Sequence, residues 1–238
     1  MRTLIFAVFF SFMSMASSSL MAASGGLHLD KANIDLTDQA SLQRGAKTFV
    51  NYCLSCHEAS YMRYNRMAQD IGLSEEQVLN NLMFASDKIG DTMTIAMRGE
   101  DAKKWFGVIP PDLSVITRAK GTDWLYTYLR SFYLDGSKQI TGTNNLAFKD
   151  VGMPHVLWQQ QGYLAQDEET HGLISATDGT KSTGEYDVMV QDLTNFMAYI
   201  GEPSKLQRLA LGKWVLLYLV ILFLVVYPMK KAFWRDIH

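Results

Sequence analysis

The only two cysteines of the chain, Cys53 and Cys56, stand in the run Cys53-Leu54-Ser55-Cys56-His57. Thiols three positions apart on a nascent helix point the same way. In C-x-x-C-H they can add to both vinyl groups of one haem, and the adjacent histidine comes beneath the iron as proximal ligand. The motif therefore predicts one covalent haem c, held by Cys53 and Cys56 with His57 on the metal. A thiol–disulfide oxidoreductase is an alternative use of C-x-x-C, but it calls for a strand before the motif and a βαβ context after it. Zinc would need three or four protein ligands, and with no second C-x-x-C it would have to recruit scattered histidines.

A haem iron needs a sixth ligand or an open site, and that choice separates electron transfer from oxygen or peroxide chemistry. Of the 13 methionines, Met62 and Met67 lie too near His57 in sequence to reach the opposite haem face easily. Met189 and Met197 sit on an amphipathic stripe, where methionine usually packs a core. Met153 differs: in Gly152-Met153-Pro154 it follows a flexible residue and precedes a stiff one, 96 positions beyond His57. His155 and His171 are rival ligands from the same region.

The elements that must position these residues read as helices. Leu42, Ala46, Phe49, Val50 and Cys53 share one face of a helix whose N-cap is Thr37 or Asp38. Ser74-Glu75-Glu76-Gln77 has capping-box form ahead of Val78, Leu79, Leu82 and Met83. A third helix is expected from Asp123 to Phe132, and a fourth carries Met189, Leu193, Phe196, Met197 and Ile200 on one face. From Asp135 to Gly184 no period persists, and loops this long usually carry function or wrap a ligand. The expected class is mostly α, with long loops around the cofactor and one C-terminal transmembrane helix.

Both ends of the chain read as membrane-directed. Residues 1–23 have the form of a secretory signal peptide: Arg2, an apolar run from Leu4 to Phe10, then small residues up to Ala22-Ala23. Residues 209–228 form an apolar stretch long enough, at about 1.5 Å per residue, to cross a hydrocarbon core of about 30 Å. Trp214 and Tyr227 suit the interfaces, Pro228 marks the exit, and Lys230, Lys231 and Arg235 put the tail, residues 229–238, in the cytoplasm. Residues 24–208 are then a periplasmic haem domain. They hold 17 basic and 23 acidic residues, a net charge of −6, against −2 for the whole chain. Such a balance excludes a nucleic-acid stripe and favours encounter with a basic soluble partner. Wholesale disorder and a disulfide framework are excluded by 48% apolar residues and two cysteines.

Cys53 to His57, Pro110-Pro111-Asp112-Leu113-Ser114 followed by Arg118-Ala119, Gly152-Met153-Pro154, and Glu202-Pro203 before a C-terminal apolar helix together resemble the cytochrome c1 family in its short proteobacterial form. The resemblance covers nearly the whole mature chain. It implies a haem domain related to class I cytochromes c, with Gly45 and Phe49 on its N-terminal helix, and Met153 as the axial ligand opposite His57. It implies Pro110 and Pro111 as cover for the haem edge, and Arg118 and Lys120 as candidate partners of the propionates. It also implies a place in a dimeric bc1 complex beside cytochrome b and the Rieske iron–sulfur protein, with a soluble cytochrome c as acceptor and no bond chemistry in this subunit.

Departures from the family pattern are Lys120, where arginine is frequent, Pro154-His155-Val156 in place of further prolines, and no third cysteine for the extra disulfide of some bacterial relatives. A membrane-tethered monohaem cytochrome feeding a terminal oxidase shares every feature except the family runs.

Overall fold

Asp38 starts the first helix: its carboxylate accepts the Ser41 N–H at 3.0 Å, which satisfies one of the donors that every helix N-terminus leaves open. The computed structural model describes residues 27–235, so the expected signal peptide, residues 1–23, lies outside the described residues. In chain order the elements are α1 (Gln39–Tyr52), β1 (Ala59–Arg63), α2 (Tyr64–Asp70), α3 (Glu75–Asn81), β2 (Thr92–Met93), α4 (Gly99–Phe106), α5 (Ile116–Lys120) and α6 (Thr122–Arg130). They continue with β3 (Phe132–Leu134), β4 (Thr143–Asn145), α7 (Trp158–Gln161), β5 (Leu164–Gln166), β6 (Leu173–Ser175), α8 (Thr183–Gly201) and α9 (Lys205–Phe233). The class is mostly α, as expected. β1 pairs with β2, β3 with β4 and β5 with β6, each antiparallel.

The core is built where α1 crosses α8. Leu42, Ala46 and Phe49 of α1 meet Val190, Leu193 and Phe196 of α8, all fully or almost fully buried, and the Phe49 and Phe196 rings lie 5.6 Å apart. Each such side chain contributes about 1.5–3 kcal/mol on burial. The backbones approach closely at Gly45: a Cβ there would fall 2.1 Å from the Asp192 carbonyl oxygen and 2.6 Å from Phe196 Cβ. The residue before it, Arg44, grips the buried Asp192 carboxylate with two bonds, 2.6 and 2.9 Å.

A segment without regular structure, 27–38, straps the helices together. Its backbone N–H groups donate to Thr127 and Asp123 of α6 and to Gln191 and Asn195 of α8. Arg130, at the end of α6, bridges Asp30 of this strap and Asp187 of α8, each at 2.6 Å. α5 leans on the C-terminal end of α8, where Thr117 Oγ1 donates to the Met197 carbonyl at 3.1 Å.

Several boundaries differ from the sequence reading. The third expected helix stops at Arg130, and Phe132 opens β3. The region expected to be irregular holds β4, α7, β5 and β6, whose strands of three residues are too short for an alternating pattern to register. α4 is a helix the sequence did not announce; it buries Ala102. α9 starts at Lys205 and runs through Pro228 to Phe233, although Pro228 brings no N–H to the helix. None of its residues is buried, so a face of Leu, Val, Ile and Phe is left for lipid or for other chains, as a membrane span requires.

Replacing Gly45 by alanine sets about 1 kcal/mol of helix propensity against overpacking of about 1–3 kcal/mol or more, and the 2.1 Å approach to backbone decides the sign. Gly45→Ala is expected to lower the melting temperature of the detergent-solubilised protein by several degrees, followed by circular dichroism.

Candidate functional site

The cysteine motif is the unwinding end of α1. Cys53 N–H still bonds Phe49 O at 2.8 Å, and both Cys56 and His57 N–H groups turn back onto Cys53 O, at 3.1 and 2.9 Å. This tight turn leaves Cys53 buried, Cys56 half-buried, and both as free thiols. Burial, and next the nearby Cys56, push the Cys53 thiol up to about 12. A redox-active C-x-x-C calls for an activated thiol and a strand leading into the motif; here the buried Cys53 is shifted the other way and the helix α1 leads into it, which disfavours the oxidoreductase alternative.

His57 is buried, and its Nδ1 lies 2.8 Å from the Pro111 carbonyl oxygen. The ring therefore donates from Nδ1 and carries its lone pair on Nε2, the arrangement in which a carbonyl fixes the tautomer of a metal-ligating histidine. Burial lowers its pKa, against the opposing pull of the Pro111 carbonyl and the Asp112 carboxylate, so the imidazole is neutral and ready to ligate.

What holds that carbonyl in place is the rest of the Pro-Pro-Asp-Leu-Ser run. Asp112 accepts bonds from the Ser114 N–H at 2.6 Å and the Ser60 N–H at 3.0 Å, and from the Ser60 hydroxyl. Ser114 Oγ accepts the Tyr61 N–H at 3.1 Å, and Leu113 N–H bonds the Glu58 carbonyl at 2.7 Å. The loop is thus laced to the residues directly after His57. Pro110 is half-buried and Pro111 exposed, a surface position compatible with cover over a cofactor edge.

Met153 is half-buried, and its Sδ lies 3.3 Å from the Tyr128 hydroxyl. The preceding Gly152 passes beneath the loop that leads to Pro110: a Cβ there would sit 3.0 Å from Val108 Cγ2. The two segments singled out in sequence, around Pro111 and around Met153, are therefore packed against each other.

His155 is turned onto Phe132, with ring planes 7° apart and centroids at 5.0 Å, and burial drives its pKa down to about 4. His171 stands exposed on the turn between β5 and β6 with φ of 55°. Arg118 is exposed on α5 and acts on Glu202, while Lys120 Nζ lies 5.6 Å over the Trp124 ring.

A haem fits this donor set: a thiol pair, a neutral imidazole with Nε2 uncommitted, and a thioether. Four buried side-chain polar atoms lack hydrogen-bond partners among the described residues, Tyr64 Oη, His155 Nε2, Gln160 Oε1 and Gln161 Oε1; such orphans call for an explanation, and for the first two, on the helix after the motif and two positions beyond Met153, a bound polar cofactor supplies one.

The cytochrome c1 family model matches residues 30–237. The chain belongs to the cytochrome c1 family. Over 248 residues it is 50% identical to cytochrome c1 of Allochromatium vinosum, covering 100% of both chains. It is 49% identical over 231 residues to a Nitrosomonas europaea protein named ammonia monooxygenase gamma subunit, covering 96% of this chain and 98% of that one. Cytochrome c1 of Rhodospirillum rubrum is 26% identical over 227 residues, with 84% and 83% covered. Family membership implies a covalent haem c and a membrane-anchored electron-transfer subunit of a bc1 complex, and α9 is the candidate membrane span.

Sequence reasoning missed Tyr128, Asn144 and Asn145. The two asparagines are buried and organise the approach to Met153. Asn145 Oδ1 accepts the Ala147 and Phe148 N–H groups, its Nδ2 donates to Tyr128 O at 2.7 Å, and Asn144 Oδ1 accepts the Asp150 N–H. The available signal was the Trp124, Tyr128, Phe132 spacing of four, an aromatic stripe pointing at one place.

Asp112 also sets a pH dependence. Desolvation would raise its pKa, but the bonds from Ser114 and Ser60 outweigh it and hold the carboxyl below its ordinary value of 3.8. Its contribution is therefore complete above about 3.8 and is lost as pH falls through the depressed folded value. Asp112→Ala is expected to cost on the order of 1 kcal/mol near neutrality, with the melting-temperature gap to wild type closing in acid. A gap that stays constant down to pH of about 3 would show that the carboxylate charge is not what holds the loop.

Proposed function

We propose that this protein takes single electrons from the Rieske iron–sulfur protein and passes them to a soluble cytochrome c, beside cytochrome b in a dimeric bc1 complex. The observation that carries the reading is the His57 Nδ1 bond to Pro111 O, because it commits one ring nitrogen and leaves Nε2 as a metal donor directly beside the two thiols. When bound, the haem supplies a one-electron Fe(III)/Fe(II) couple. Cys53 and Cys56 would hold it by thioether bonds, and His57 and Met153 would ligate its iron. A thioether in that position favours the reduced iron and leaves no open site for oxygen.

Pro110 and Pro111 cover the cofactor edge, and Val108 packs against Gly152, the residue before Met153. Arg118, exposed and without an ion pair among the described residues, is a candidate partner for a propionate. Residues 1–23 direct export, 24–208 stand in the periplasm, α9 anchors the domain in the inner membrane, and the basic tail stays in the cytoplasm. The acidic balance of the outer domain steers a basic carrier toward it.

The test is a difference spectrum on native membranes, following reduction of the c-type haem by a ubiquinol analogue with and without an inhibitor of quinol oxidation. Inhibitor-sensitive reduction is the expected result. Insensitive reduction, or none until another donor is added, would point to a tethered carrier feeding a terminal oxidase. Met153→Leu is expected to lower the midpoint potential and open the iron to carbon monoxide. A variant with wild-type potential that binds no carbon monoxide would refute the ligand assignment.

A further inference from the structure

The residues between Lys120 and Phe132 form a column that ends at Met153. Lys120 lies over Trp124, and Trp124 stacks on Tyr128 at 5.0 Å with planes 13° apart. Tyr128 meets Phe132 edge-on at 5.1 Å, and Phe132 stacks on His155. The phenol ring is thus held between Trp124 and Phe132, and the Tyr128 carbonyl is clamped by Asn145 Nδ2. From this held position the hydroxyl reaches Met153 Sδ at 3.3 Å, and among the described residues it donates to no other acceptor.

We propose that Tyr128 is a positioning residue that raises the reduction potential of the bound haem by hydrogen-bonding the Met153 thioether. The inference rests on Met153 being the axial ligand. A thioether sulfur has two lone pairs, so one can accept the phenol proton while the other faces the metal. Drawing density from the sulfur weakens its donation, which the oxidised iron needs more than the reduced iron, so the couple shifts toward Fe(II). Thioether sulfur is a weak acceptor, so the effect belongs in the potential rather than in fold stability. Burial of the phenol strengthens it, because the local dielectric there is low. The second hold on the loop, Phe132 against His155, keeps the sulfur in place when the hydroxyl is removed, which makes tuning separable from ligation.

The experiment is a potentiometric titration of haem absorbance in membranes carrying the full chain, for wild type, Tyr128→Phe and Tyr128→Leu. The ferric charge-transfer band of thioether-ligated haem and carbon monoxide binding are recorded on each. Tyr128→Phe is expected to lower the midpoint potential while retaining the band and excluding carbon monoxide, with Tyr128→Leu at least as low. An unchanged potential in Tyr128→Phe together with a lowered one in Tyr128→Leu would show that the ring only packs, and would overturn the proposal. So would loss of the band in Tyr128→Phe, since the hydroxyl would then be holding the sulfur on the iron rather than polarising it. Absence of the band from the wild type would overturn the Met153 assignment itself, and this inference with it, before any substitution is compared.

Discussion

The close approach of α1 and α8 at Gly45 is the constraint on which the other placements depend. With a Cβ at residue 45 blocked by the Asp192 carbonyl and by Phe196, the two helices reach a separation that no larger residue permits, and the Phe49 and Phe196 rings then close the interface. α1 ends in the cysteine motif, so its seat on α8 determines where Cys53 and His57 are delivered. The same helix α8 receives a second close approach near its other end, where a Cβ on Gly201 would stand 2.5 Å from Thr117 Oγ1. That contact seats α5, which immediately follows the loop bearing Pro111. One helix thus references both the motif and the carbonyl that orients it, although they are 54 residues apart.

Met153, the proposed second ligand, is placed by different means. The segment leading to Met153 has little regular structure, so its backbone groups need partners from elsewhere, and Asn144 and Asn145 provide them. Buried asparagines are costly unless satisfied; here their amides are spent on Ala147, Phe148, Asp150 and the Tyr128 carbonyl. The loop is consequently fixed to the end of α6 by polar bonds and to its aromatic stripe by stacking. A loop held at both levels can present a side chain with the constancy usually left to a helix.

The legible parts of the sequence were those with local rules. The stripe of Leu42, Ala46, Phe49 and Val50 is buried as its spacing requires, and the capping box at Ser74 and Gln77 forms as written. The motif reads the same way, because its meaning lies within five residues. What escaped notice was non-local. α4 is eight residues long and buries only Ala102, too little apolar surface to read as a core-facing stripe. Asn144 and Asn145 look like ordinary turn residues until partners up to 17 positions away appear. Pro111 was read as cover, yet the group that acts on His57 is its carbonyl; proline's ring draws the eye, while its backbone oxygen carries no mark in a sequence.

Charge is kept away from the two proposed iron ligands, His57 and Met153, and this would have a consequence for the couple. Burial holds the Tyr128 phenol protonated and pushes the His57 and His155 rings toward the uncharged form. Asp112, the carboxylate that acts on His57, is engaged by Ser60 and Ser114. Oxidising an iron adds one positive charge, and neutral, weakly polar surroundings stabilise that charge poorly. Such a site therefore favours the reduced state, the direction in which a thioether ligand also pushes. The net charge of −6 on the outer domain does not undo this, because exposed carboxylates are screened by salt over about 8–10 Å. They act instead on the approach of a partner. An acidic exterior around a neutral interior would let encounter with the proposed carrier and the potential of the bound haem be set independently, so that surface charges could change without resetting the couple.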